Sequence, residues 1–456
     1  MARHCDDFTR SEALRHGIAQ AGRGLRPIEA GMPTPAGTGL TRRSLMLRGA
    51  AAGLTVYGAS KLMPEALEAG IAEAASGPAQ PVLVSVFLPG GVDGLSVLAP
   101  TGDERFASLR PTLRIARGAG KAFTEDDRLE WTPAADALRV LHSEGKVSVI
   151  PAIGYDHPDQ SHFTSRHFWE VGATDVQGRF GWLGRYLDQH GSADNPLQGL
   201  SLDSNLSPAL AAGGVPVAAV DDPQDFGLWA PGVWGGVEDP LFSAIGALGT
   251  LPTEDGALRA ARRVATQVDS IRRSLGPLQA VAGKPAFTAP VTYADNRFAR
   301  RLSSLAAMLD AGLPLRAVTL DAPGNYDTHS GQASTLADDL RESCEALLAF
   351  QRDLEHRGLA GRVLTLVWSE FGRRPRQNAD GTDHGAAGVG FVVGNRAGGR
   401  MLGEFPGLAK LDEHGNLRST FDFRSLYCGL LEQWFGVDAG PIIPGAAGFA
   451  RPALLS

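Results

Sequence analysis

Five short segments carry side chains that could hold a metal ion or attack an ester. PGGVDGLS presents Asp93, and YDHPDQSHF presents Asp156, His157, Asp159, Ser161 and His162. NYDTHSGQ presents Asp327 and His329. SEFGRR presents Glu370, Arg373 and Arg374, and TDHG presents Asp383 and His384. Carboxylate oxygen and imidazole nitrogen, without thiolate, suit divalent zinc, manganese, magnesium or iron in a site open to substrate. Two ions a few ångströms apart would use about six to seven such ligands, roughly the number on offer. Each segment also has a plainer reading. An Asp in a glycine turn caps the turn, Ser-His-Phe at a helix start is an N-cap with a passing histidine, and an arginine pair is a solvated face.

A sheet would bring the segments together. The runs at 82–88, 147–155, 315–321, 362–368 and 389–395 are apolar and rich in β-branched residues, and read as buried strands. Helical patterns fall at 134–144, at 161–172 with Ser161 as N-cap, from Trp182, from 256 to about 283, at 294–312, through STLADDLRESCEALLAFQRDLEHRG to a stop at Gly358, and at 421–435. Strands alternating with helices predict an α/β fold, layered with a mostly parallel sheet and helices on both faces. In such sheets ligands bind beyond the carboxyl ends of strands. The candidate residues fall at strand ends, with Asp383 and His384 just before the run at 389–395, so a parallel sheet would gather all five loops on one rim. Residues 191–255, with many Pro and Gly, read as a loop-rich insertion in a single domain spanning 76–456.

In order, VFLPGGVDGL, SHF, YDTH, SEFGRR and TDHG resemble a family of exported bacterial proteins, domain of unknown function 1501 (DUF1501), within the alkaline phosphatase and sulfatase-like superfamily. The resemblance runs from about Val82 to the C-terminus. It implies an alkaline phosphatase-like fold with a two-metal site at the strand ends. Asp93 would bind one metal, and Asp327 and His329 the other. Glu370 would be the strand-end carboxylate ligand, and His384 the late histidine. Ser161 would be the nucleophile, at a helix start whose dipole favours its alkoxide. Phe371 stands where superfamily members place a histidine, and His162 or Asp383 could fill that role. Asp383 is either a ligand or an acid orienting His384. Arg166, Arg373 or Arg374 could clamp an oxyanion. The implied activity is metal-dependent hydrolysis of a small phosphate or sulfate ester, by Ser161 or a metal-bound water. The alternative is an inactive member that binds or assembles in the cell envelope.

Composition narrows the setting. The 456 residues are 43% hydrophobic with a net charge of -7, and no long basic run supports nucleic-acid binding. The segment TRRSLMLRGAAAGLTVYGASK holds Arg42-Arg43 before a weak apolar run, with small residues near Ala72-Glu73-Ala74. It resembles a twin-arginine signal within residues 1–75. The expected partner is the twin-arginine translocase, and the expected location periplasmic or secreted. Nothing after it is long and apolar enough to span a membrane. Cys5, Cys344 and Cys428 form no disulfide framework and no thiolate zinc motif.

Overall fold

The apolar runs fold into strands without an exposed position, as a sheet covered on both faces requires. In the computed structural model these are β1 (Val82–Phe87), β2 (Val147–Gly154), β3 (Val363–Trp368) and β6 (Gly388–Val393). Between β3 and β6 lies a hairpin, β4 (Arg373–Gln377) and β5 (Thr382–His384), and a short β7 (Phe421–Asp422) follows. The structure describes residues 80–193, 195–224, 238–279 and 286–456, with Met32, Ala36 and the strand Thr55–Tyr57. The segment that resembles a twin-arginine signal, with its expected cleavage region, otherwise lies outside the described residues.

The chain divides into two compact units. One comprises Leu83–Thr174, Pro290–Ser303 and Asp321–Ser456, and it holds every candidate site residue. Its strands lie in the order β1-β3-β6-β2-β7. β6 runs antiparallel to both β3 and β2, while β7 runs parallel to β2. The Leu88 amide donates to the Trp368 carbonyl at 2.8 Å, joining the carboxyl ends of β1 and β3. The reversal of β6 decides where its leading residues fall. A residue that precedes a strand reaches the carboxyl-end rim only if that strand points the other way, and His384 precedes β6.

Alternation along β3 sends Val367 and Trp368 to opposite faces. On one face the Trp368 ring lies 4.5 Å from Phe87 and stacks at 5.2 Å on Trp169 of α2 (His162–Val171). Trp169 stacks in turn on Phe423 of α4 (Phe423–Gly429) at 4.6 Å. Such pairs add about 0.5–1.5 kcal/mol each beyond their burial. On the other face Val367, Phe391 and Leu88 meet Leu138 of α1 (Asp136–Ser143) and Leu340, Cys344 and Leu347 of α3 (Gln332–His356). This is the layered α/β fold with a mixed, mostly parallel sheet. Cys344 and Cys428 are buried free thiols.

The other unit comprises Met1–Val82, Asp175–Ala289 and Ser304–Leu320. There Gly199–Ser201 pairs in parallel with Val217–Ala219 and with Ala317–Asp321. Helices Trp182–His190, Glu238–Gly249 and Gly256–Leu275 belong to it. The stretch 191–255 therefore carries two of these strands and one helix. Among the described residues no helix is long and apolar enough to cross a membrane.

Candidate metal centre

Three elements deliver the central side chains. Ser161 caps α2, its hydroxyl accepting from the Thr164 amide at 3.4 Å, and this sets His162 in the first turn. The loop after Asp321 delivers Asp327. The β4–β5 hairpin turns the chain back to the rim and ends on His384. His162 Nε2 lies 3.0 Å from His384 Nε2 and 3.5 Å from Asp327 Oδ2, and His384 Nε2 lies 3.2 Å from Asp327 Oδ1. His329 Nε2 approaches the same Oδ1 at 3.1 Å. One ligand atom from each of His162, Asp327 and His384 lies within 4.8 Å of the others, close enough for the three to hold a metal ion.

The far side of each ring explains the convergence. His162 Nδ1 faces a Glu370 carboxylate oxygen at 2.7 Å, and His384 Nδ1 faces the Gln160 carbonyl at 2.9 Å. A carbonyl and a carboxylate only accept, so both Nδ1 atoms carry hydrogen. In the neutral rings both Nε2 atoms then present lone pairs, to each other and to Asp327. Three potential ligand atoms thus lie within 3.0–3.5 Å of one another, a spacing that a shared cation would satisfy. Tetrahedral zinc with ligands at about 2.0–2.1 Å separates its ligand atoms by about 3.3 Å, and backing of each histidine by an acceptor is the usual support of a metal ligand. The residues present fit a divalent ion. Burial alone would raise the Asp327 carboxyl, but His162, His329, His384 and Arg373 outweigh it and hold it far below the usual carboxylate range.

The other candidates divide. Glu370 is fully buried with its oxygens on donors: it accepts from His162, from the Gly90 amide at 3.0 Å and from the Gly91 amide at 3.1 Å. Burial pushes its carboxyl up, and the contact with His162 more than reverses this. Asp93 is elsewhere engaged. Arg110 grips both its oxygens, at 2.5 and 2.9 Å, and both side chains are fully buried. Asp383 orients His329, not His384, with Oδ1 3.3 Å from His329 Nδ1 and half the side chain in solvent. Arg373 is not a surface clamp. It is buried, donating to the carbonyls of Gly91, Thr382 and Gly90 and to Asp327 Oδ1. Arg166 pairs with Glu170 at 2.7 Å and lies over the Phe87 ring. Reading by residue type missed Arg110 and the Gln160 carbonyl. Neither has a local signal, since their partners lie 17 and 224 positions away.

Residues 256–441 match the model of a family described as "Protein of unknown function (DUF1501)". The resemblance to DUF1501 holds. The matched segment of this DUF1501-like chain includes Asp327, His329, Glu370, Asp383 and His384, whereas Asp93, Ser161 and His162 precede it. No curated protein matches the chain. Among solved structures, a Vibrio parahaemolyticus protein in the alkaline phosphatase superfamily is similar at 10% identity and a TM-score of 0.35, over 86% of this chain and 80% of that one. The C-terminal periplasmic domain of EcEptC from Escherichia coli, solved in complex with Zn, is 8% identical with a TM-score of 0.35, over 83% and 93%. The phosphonate monoester hydrolase of Agrobacterium radiobacter is 9% identical with a TM-score of 0.36, over 81% and 79%.

Proposed function

We propose that the protein is an exported, metal-dependent hydrolase of phosphate or sulfate esters, with His162, Asp327 and His384 holding the ion. The observation that carries this reading is the convergence of two histidine Nε2 atoms on Asp327 while each Nδ1 is committed to an acceptor. A bound divalent ion would supply Lewis acidity, drawing charge from the ester oxygens and lowering the pKa of a nearby hydroxyl or water. The chain's own residues do the rest. Glu370 and the Gln160 carbonyl fix the ring orientations. Arg373 holds Asp327 in place. Ser161 stands beside His162 at the N-terminus of α2, where the helix dipole favours an anion. Attack by the Ser161 oxygen on phosphorus or sulfur would release the alcohol with a proton, and water would then free Ser161 and the acid. Direct attack by water is the other route.

One observation favours a second reading, a non-catalytic envelope binding protein. Arg166 and Arg373, the expected oxyanion clamps, are held by Glu170 and by Asp327 with backbone carbonyls. The two readings separate on the purified mature protein, by metal analysis followed by aryl phosphate, phosphodiester and sulfate ester substrates. Turnover that a chelator removes, that metal restores and that His162→Ala abolishes supports the hydrolase, and loss in Ser161→Ala identifies the serine route. Metal without turnover on any ester favours binding. Export is tested by fractionating cells that express the chain with Arg42-Arg43 intact or changed to Lys-Lys. Envelope or medium localisation that depends on the arginine pair supports it, and retention of both in the cytoplasm refutes it.

A further inference from the structure

We propose that the centre takes one divalent ion, not the pair implied by the family resemblance, and that the buried guanidiniums of Arg110 and Arg373 supply the positive charge a second ion would bring. The proposal rests on the reading that His162, Asp327 and His384 hold a metal, and specifies the centre's charge and stoichiometry.

A second ion needs ligand atoms that are not already spent. Asp93 is the carboxylate expected to supply them. Its Oδ2 accepts from Arg110 at 2.5 Å, Ser96 at 2.5 Å and Gln332 at 2.7 Å, and its Oδ1 accepts from Arg110 at 2.9 Å. Arg110 is locked from behind, its Nε on the Pro375 carbonyl at 2.7 Å and its Nη2 on the Arg374 carbonyl at 2.9 Å. The guanidinium cannot swing away to admit an ion without abandoning buried acceptors. Glu370 is spent in the same way, on two backbone amides and His162. Arg373 reaches Asp327 and is anchored on four further carbonyls, of Gly90, Gly91, Tyr326 and Thr382.

Charge points the same way. The side chains packed at the centre include three carboxylates, Asp93, Asp327 and Glu370, against two guanidiniums, Arg110 and Arg373, each at most 3% exposed. With neutral histidines they carry one net negative charge. One divalent ion turns this into one net positive charge, which a single anionic substrate would balance. Two ions would leave three positive charges in a buried region, and uncompensated buried charge is strongly unfavourable. His329 and Asp383, at the more exposed side, remain as a neighbouring pair beside the ion.

The experiment is cobalt loading of the metal-free full-length protein. Visible absorbance is followed during titration, and metal content is measured after desalting. A break at about one equivalent, with about one ion retained per chain, is expected. Two retained ions would overturn the one-ion proposal while leaving the metal centre intact. None retained would overturn the metal reading itself, and this inference with it. The paired replacement Asp93→Asn with Arg110→Gln removes both charges together and is expected to keep the same single ion. Loss of that ion from a folded double variant would make Asp93 a ligand and overturn the proposal. The stoichiometry of the unaltered chain decides the matter if the variant does not fold.

Discussion

Replacing Glu370 by Gln tests the centre most sharply, because it preserves shape and removes one acceptor from a fully buried position. Both carboxylate oxygens face donors. Oε1 receives His162 Nδ1 at 2.7 Å and the Gly90 amide at 3.0 Å, and Oε2 receives the amides of Gly90 at 3.2 Å and Gly91 at 3.1 Å. A Gln amide must put its NH2 on one side or the other. On the Oε2 side it meets backbone N–H groups that cannot reverse, a conflict of about 1–3 kcal/mol. On the Oε1 side it meets the Gly90 amide, which cannot reverse either, and His162, which can relieve its own clash only by moving its proton from Nδ1 to Nε2. The ring would then point a hydrogen, not a lone pair, at His384 and Asp327. Loss of a group that orients a ligand lowers metal affinity by about 10- to 100-fold, or about 1.4–2.8 kcal/mol. Calorimetric titration of the metal-free variant with zinc, beside its thermal unfolding, measures both effects. A variant that loses stability yet binds zinc within about twofold of the unaltered chain would refute the argument, since Glu370 would then support the fold and not the ligand.

Asp93→Asn leaves Arg110 buried without its counter-charge, and should cost about 3–5 kcal/mol of stability. Burial raises the Asp93 carboxyl, and Arg110 and Ser96 more than offset it, so its folded pKa lies below the ordinary value. A group depressed in this way stabilises the fold above its unfolded pKa of about 3.9, and that contribution drains away as pH falls through the folded value. Denaturant unfolding should therefore weaken below about pH 4 in the unaltered chain and less steeply in the Asn variant; parallel pH profiles would contradict this. Gly90→Ala should damage both stability and metal affinity, because Gly90 has φ +114° and an added Cβ would lie 2.4 Å from the Asp327 amide nitrogen. Gly145→Ala, at φ +75° with open space around it, should cost only backbone strain, about 1–2 kcal/mol, and leave affinity unchanged; equal affinity losses in the two variants would count against a site-specific role for Gly90. In a Cys5→Ser background, neither Cys344 nor Cys428 should react with a thiol reagent at pH 8 until the chain is unfolded, because burial pushes their thiols up to about 12 and about 11; rapid labelling of the folded chain would refute the burial argument.

The strands were legible because a sheet covered on both faces demands continuous apolar runs, and VLVSVF, VSVIPAIG and VLTLVW meet that demand without help from distant residues. The β4–β5 hairpin was not. RRPRQ carries three arginines and a proline, a composition that reads as a loop; its pairing with Thr382–His384 is set by backbone partners and by Arg373 reaching inward. The rim was legible for the same reason as the strands, since each buried run ends where polar residues begin. His384 joins it through the antiparallel course of β6, which no local pattern announces.

Residue type could nominate ligands but could not tell a ligand from its support. Asp93, Asp327 and Glu370 are chemically alike, and each follows a strand. What separates them is which lone pairs are already taken. Arg110 takes those of Asp93, and two amides and an imidazole take those of Glu370. Asp327 also receives a guanidinium, yet both its oxygens still face histidine Nε2 atoms. The commitments of Asp93 to Arg110 and of Glu370 to His162 and the Gly90 amide span 17 to 280 positions, beyond any window of sequence periodicity. The distinction has a chemical consequence. If Asp93 and Glu370 were both ligands, the centre would resemble the two-ion site that the motifs imply. With both spent on donors, metal affinity would have to come from His162, Asp327 and His384, beside His329, and attraction of an anion from a single ion set against three carboxylates and two guanidiniums.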